Sequence, residues 1–246
     1  MKTRFLYSFT TLILLSVIFS CKKENGCLKT SGSSIVEVRQ VTQPFDFIEL
    51  NNKINLIITQ DSLYSLKVEA GENLMPLIFT EISGNKLNIR SDNKCSFLRD
   101  YKKPINVYVS CPNIKEILYK GYGDISATNL LNFPDFMIQA DGGTGTVSLP
   151  LNSTEIKIKQ HAGPADFRLS GQTDNIFVYT NGMGWIYTEN VVAKTGHVSS
   201  SGTGDVFVNV TDQLRVEIRH IGNVNYFGNP TVNVTEQSGS GKVIKK

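Results

Sequence analysis

Hydrophobic and polar residues alternate along most of the chain. Ile48 and Leu50, Ile54, Leu56 and Ile58, Leu66 and Val68, Leu87 and Ile89, and Ile105, Val107 and Val109 each occupy every second position. That is the pattern of strands buried on one side. Only Gly71 to Met75, just before Pro76, reads as a short helix. Beyond Tyr119 the alternation is punctuated by a recurring turn. Gly121-Tyr-Gly123-Asp124-Ile125 is echoed from Gly143 to Val147, from Gly163 to Phe167, from Gly182 to Ile186 and from Gly202 to Val206. A worn copy runs from Gly222 to Tyr226. The first glycines stand 22, 20, 19, 20 and 20 residues apart, too regular for independent turns.

A period near twenty, built of strands too short to form a sheet alone, marks a solenoid of stacked coils. The corners fall at the glycines, which tolerate positive φ and close backbone approach. Ile125, Val147, Phe167, Ile186, Val206 and Tyr226 then form one inward column, and another apolar residue recurs four or five positions before each first glycine, as Ile117, Ile138, Ile158, Val178, Val198 and Ile218. Their neighbours point outward, because side chains alternate along a strand. The expected fold is therefore all-β, a β-solenoid with coils of about 20 residues. Residues 35–246 read as a single domain: irregular opening coils over 35–118, glycine repeats over 119–230, and a cap or tail over 231–246.

Several segments together resemble the auto-transporter adhesin head (GIN) domain family. They include Phe45 to Ile48, Ile54 to Gln60, Leu66 to Ala70, Asn73 to Leu77, Gly84 to Ile89 and Val107 to Ile114. Gly121 to Ile125, Tyr226 to Pro230 and Ser238 to Gly241 complete the set. The resemblance covers roughly 37–244. It implies a right-handed β-helix on an exported, often lipid-anchored protein, and it brings no catalytic residues. The sequence departs from the family pattern at Ala165 and Val224, where a second corner glycine is missing.

Composition agrees with the strand reading, since 22 Ile, 20 Val and 21 Asn stand against only 6 Ala. Sixteen of the 20 glycines follow residue 120, which places them in the repeats. A net charge of +3 offers no electrostatic footprint for nucleic acid. At the start, Lys2 and Arg4 precede an apolar run, Phe5 to Phe19, that is too short to span a membrane and reads as an export signal over 1–20. Its end, Ile18-Phe19-Ser20-Cys21, resembles the lipobox of bacterial lipoproteins. Cys21 is thus the expected lipidation site, residues 21–34 a flexible tether, and the outer membrane the expected address. Of the remaining cysteines, Cys111 falls in register with Val107 and Val109 and reads as a buried strand residue. A bond from it to Cys95 is the alternative.

The outward positions carry the candidate chemistry. The position after the corner reads Asp124, Thr146, Asp166, Trp185, Asp205 and Asn225. Its aspartates stand two coils apart, about 10 Å, which is wide for paired catalytic carboxylates and does not match a calcium repeat. Asp and Asn are also favoured beside tight corners for structural reasons. The histidines are too scattered to share a metal, and no phosphate loop is present. No cofactor is expected. Two positions on, Tyr187, Phe207 and Phe227 join Trp185 on an outward face bordered by Asp205 and Asn225. Such a face suits a glycan or a surface protein, unless the tail or a second copy of the chain covers it. The chain is read as a non-enzymatic adhesin-like lipoprotein, with a carbohydrate-binding or carbohydrate-active protein on the same scaffold as the alternative.

Overall fold

The computed structural model describes residues 30–94 and 103–246. The expected β-solenoid is what forms: 18 strands among the described residues belong to one sheet that winds into stacked coils, about six of them turns of about 20 residues each. Each coil has a front run following a corner and a back run leading into the next. The front runs stack in parallel as β7 (Asn106–Cys111), β3 (Asn55–Gln60) and β9 (Ile125–Ala127). The leading parts of β12 (Thr146–Ala162), β13 (Asp166–Thr180), β14 (Ile186–Ser200) and β15 (Val206–Ile218) come next, then β16 (Val224–Phe227) and β18 (Val243–Lys245). The back runs are β6 (Lys86–Ser91), β2 (Phe47–Leu50), β8 (Glu116–Tyr119), β11 (Asp135–Asp141), the trailing parts of β12 to β15, and β17 (Thr231–Gln237). A short strand between β9 and β11, β10 (Leu131–Asn132), pairs with the middle of β12.

The opening coils belong to the same body, but they do not stack in chain order. The coil of β2 and β3 is inserted between that of β6 and β7 and that of β8 and β9. The excursion between β3 and β6, together with the leading strand β1 (Ser34–Arg39), supplies antiparallel strands at this end of the stack. β4 (Ser65–Gly71) pairs with β7, β1 pairs with β4, and β5 (Ile78–Ser83) pairs with β6. In place of the short helix expected over Gly71 to Met75 there is a single 3-10 turn, Met75–Leu77, with Pro76 in its first positions, where its missing N–H costs nothing.

Inside, the front column reads Val107, Leu56, Ile125, Val147, Phe167, Ile186, Val206 and Val224, all fully buried. The back column runs Leu87, Ile48, Ile117, Ile138, Ile158, Val178, Val198 and Val216. One expected member is thereby corrected, since Val224 replaces Tyr226, and in the back column the counterpart of Val198 is Val216 and not the recurring apolar Ile218. The cause is a shortening of the coil where β14 meets β15. Register slips between Thr188 and Val192 and again between Ala193 and Thr195. Val206 consequently pairs with Val224, two positions earlier than the phase of the preceding coil, from Ile186 to Val206, would place its partner. The sixth corner is therefore His220-Ile221-Gly222, and it lacks the first glycine, not the second. A seventh, Gly239-Ser240-Gly241, follows it. Residues 231–246, expected as a cap or tail, carry this corner and two more parallel strands, β17 and β18.

Most corner glycines are required by crowding, not by their backbone angles. Of the paired-corner glycines only Gly163 has a positive φ, of +90°. A Cβ at Gly145 would stand 2.4 Å from the Gly123 carbonyl oxygen, one at Gly204 2.1 Å from that of Gly184, and one at Gly241 2.2 Å from that of Gly222. Each corner therefore rests directly on the backbone of the one before it. Beneath lie buried polar side chains that hold those carbonyls. The Tyr119 hydroxyl donates to the Gly123 oxygen at 2.6 Å, and Gln160 Nε2 donates to the Ala165 oxygen at 2.7 Å. The corner thus survives Ala165, whose methyl is fully buried.

Cys111 is a buried free thiol, as its register implies, and burial pushes its pKa up to about 12. Cys21, Cys27 and Cys95 lie outside the described residues. On the back face Glu217 is the one buried acid among the described residues. It accepts hydrogen bonds from Arg219 and Arg215, both at 2.7 Å, and from Ser199 at 3.1 Å, and it meets His197 at 3.2 Å. The Arg219 guanidinium contributes most to holding the Glu217 carboxyl down at about 2.

Gly184→Ala, whose Cβ would stand 1.9 Å from the Ala165 oxygen, is expected to cost about 3 kcal/mol or more in denaturant unfolding. Gly142→Ala, with open space around it but a φ of +85°, is expected to cost only about 1 kcal/mol. For Glu217 the folded value lies below the ordinary carboxylate value of 4.5. Its stabilisation is therefore complete above about pH 4.5 and lost as the pH falls toward about 2. Unfolding midpoints measured from pH 7 to pH 2 are expected to fall less steeply over that window in Glu217→Gln than in the parent chain.

Candidate functional site

The outward column of the front face is assembled by the stacking. From β4 to β18 it reads Lys67, Tyr108, Ile57, Ser126, Ser148, Arg168, Tyr187, Phe207, Asn225 and Ile244. Successive members sit one strand spacing apart, about 4.8 Å. Arg168, Tyr187 and Phe207 therefore come together from three successive coils, although a full turn of chain separates each from the next.

Trp185 stands beside them on the same face. Its backbone N–H donates to the Asp166 carboxylate at 2.8 Å. The three ring centroids form a nearly equilateral triangle: Tyr187 to Phe207 is 5.2 Å, Trp185 to Tyr187 5.9 Å and Trp185 to Phe207 6.0 Å. Their planes lie within 14° to 24° of one another. At these separations near-parallel rings overlap only in part, which leaves ring surface uncovered. The guanidinium of Arg168 lies 4.2 Å from the Tyr187 centroid, a cation–π contact that closes the cluster on one side. Trp185 remains 43% exposed.

Not every expected member joins this cluster. Because the sixth coil is two residues short, Asn225 occupies the ring column next to Phe207, where it is only 2% exposed. For the same reason Phe227 sits opposite Asn209, farther along the strand and away from the three rings. Asp205 is adjacent, but its carboxylate already accepts from the Asn223 backbone at 2.8 Å and from the side chains of Asn223 and Asn225. Cys21 lies outside the described residues.

The aspartates after the corners share one structural task. Asp124 accepts the Thr146 N–H at 2.9 Å, as Asp166 accepts that of Trp185 and Asp205 that of Asn223. Asn55 and Asn223 do the same for Asp124 and Lys242. Each side-chain oxygen bonds the backbone of the coil above, where the turning chain interrupts the sheet ladder. The carboxylates are thus committed to the corner, and Asp124 and Asp166 are separated by the coil that carries Thr146.

Beside the ring cluster the face dips over small side chains. A hollow of about 460 Å³ is lined by Tyr108, Ile57, Asp124, Ser126, Thr146 and Ser148. Tyr108 and Ile57 are invisible to sequence reasoning, because the stacking of β7 and β3 against the repeats has no local signature. A larger groove, of about 610 Å³, follows the edge between front and back runs. Its amides are partly spent on each other: Asn152 donates to Asn132 at 3.2 Å and accepts the Gln172 N–H.

Comparison with known proteins agrees with this fold. No curated protein matches the chain. Among solved structures, one described as a putative adhesin from Bacteroides fragilis NCTC 9343 is similar, with a TM-score of 0.77 and 23% identity over 87% of this chain and 97% of that one. A putative lipid binding protein from Parabacteroides distasonis ATCC 8503 is similar with a TM-score of 0.67 and 19% identity, over 87% and 97%. A putative adhesin from Parabacteroides merdae ATCC 43184 matches with a TM-score of 0.62 and 19% identity, over 88% and 98%. At these identities the likeness is one of fold. The family model described as "Putative auto-transporter adhesin, head GIN domain" matches residues 44–230, and the chain belongs to that family.

Proposed function

We propose that this chain is a non-enzymatic, lipid-anchored envelope protein whose front face binds an extended ligand on a neighbouring surface, a glycan chain above all. The observation that carries this reading is the cluster of Trp185, Tyr187 and Phe207, three offset rings on the outside of a parallel sheet with Arg168 against them. Partly uncovered aromatic surface stacks on sugar rings, and the hydroxyls of Ser126 and Ser148 beside it can pair with sugar hydroxyls. Membership of an adhesin family supports an exported, surface-facing role. A glycoside hydrolase on this scaffold would need a pair of free carboxylates close together. The use of Asp124, Asp166 and Asp205 as corner acceptors speaks for a binding module instead.

The anchor belongs to the same reading. A basic start, a short apolar run and Cys21 after a small residue support lipid attachment and an outer-membrane address. Cys21→Ser is expected to move the protein from the membrane fraction to the soluble fraction, as detected by fractionation and immunoblotting. For the face, the test is a glycan array with the purified protein. Trp185→Ala combined with Tyr187→Ala is expected to abolish binding while changing stability by less than about 1 kcal/mol, as for other exposed sites. Large destabilisation of that double variant would instead make the rings part of the core, and uniform silence of the parent chain on the array would remove the glycan.

A further inference from the structure

Among the described residues, the end of the stack beyond β7 and β4 is an open sheet edge. There β1 pairs with β4 on one side only, and most of its residues are exposed, Val36 by 62% and Val38 by 71%. Backbone direction is fixed by the Ser33 carbonyl, which accepts the Glu72 N–H and so points toward β4. Since backbone groups alternate in direction along a strand, Ser34, Val36 and Val38 turn their N–H and C=O groups to the free edge. An uncovered edge strand of this kind, without proline or a bulge, is a template for another strand.

We infer that β1 pairs in antiparallel fashion with β1 of a second copy of the chain, extending the front face across a two-fold axis. Only registers that oppose even-numbered residues let the free backbone groups of both copies meet. Of these, opposing Val36 to Val38 brings Glu37 against Glu37, and like charges directly opposite are unfavourable. Opposing Val38 to itself places Glu37 against Arg39 in both directions. This register is self-complementary in charge and satisfies the symmetry of an isologous dimer. Arg39 has capacity for it: its contact with Glu37 in its own strand, at 3.3 Å, uses one terminal guanidinium nitrogen. The second copy that the sequence suggested at the aromatic face thus docks at the opposite end, and the rings of both copies stay open to ligand.

The test uses the chain purified from its membrane in mild detergent, with mass measured by sedimentation equilibrium. The parent chain is expected to be a dimer. Glu37→Arg and Arg39→Glu are each expected to weaken it about tenfold, because each sets like charges opposite at two symmetric positions. The double variant, Glu37→Arg with Arg39→Glu, is expected to recover the parent constant to within about threefold. Chance sharing of a micelle would not respond to charge reversal and recovery. As a second readout, Val38→Cys is expected to cross-link with a bismaleimide of about 8 Å reach, since directly opposed residues of a hydrogen-bonded pair stand about 5.5 Å apart. The inference is overturned by a monomeric parent chain, by single variants that dimerise as well as the parent, by a double variant that does not recover, or by absent cross-linking. Glycan binding by a monomeric chain would leave the proposed function standing while removing the dimer.

Discussion

Each corner of the coil sits on the backbone of the corner before it, so close that a carbonyl oxygen occupies the space a Cβ would need. That contact, 2.1 to 2.6 Å from the missing atom at Gly145, Gly182, Gly202 and Gly204, sets the rise from one coil to the next. With the rise set at a strand spacing, front and back runs must pair in parallel, and each inward residue must land on its counterpart. The buried columns follow from this, as do the outward ones. A bulky residue at a corner would lift the chain off the rung below and weaken the ladder on both sides of it.

The same constraint decides what the polar residues do. A chain that turns sharply cannot continue the sheet ladder around the bend, and buried backbone groups left without partners are costly. Asp124, Asp166, Asp205, Asn55 and Asn223 bond the coil above from outside the corner. Tyr119, Gln160 and Thr180 fill it from inside, the Thr180 hydroxyl donating to Gln160 at 2.6 Å. Groups that would look chemical in another fold are here parts of the scaffold. Reactivity drained from the corners leaves the outward columns as the surface where residues vary freely, and there the rings of Trp185, Tyr187 and Phe207 gather.

Much of this was legible in the sequence, and the failures have definite causes. The glycine period exposed the solenoid because corner crowding acts at one fixed point of every coil. Trp185, Tyr187 and Phe207 could be placed together because the coil from Tyr187 to Phe207 keeps the phase of the repeat. Asn225 and Phe227 were misplaced because the next coil is shortened between its front and back runs, away from the corner glycines, and Gly222 then passes for a first corner glycine although it is a second. The insertion of β2 and β3 between later coils was hidden for another reason. Alternation reports which side of a strand is buried but not which strand lies next to it. Tyr108 and Ile57 therefore enter the front face only through the fold.

A stack of identical rungs has no inherent length, since any coil could accept another. The two ends of the stack differ in this respect. At the end that carries β17 and β18 the strands still run parallel to the coil before them, and Val234 stays 42% exposed. At the opposite end the direction of pairing changes: β4 runs antiparallel to β7, and β1 antiparallel to β4. An antiparallel terminal strand cannot seed another parallel coil, but it can meet a copy of itself about a two-fold axis. Such a contact closes after two chains, so the end that stops the solenoid from growing is also suited to pairing one whole molecule with another.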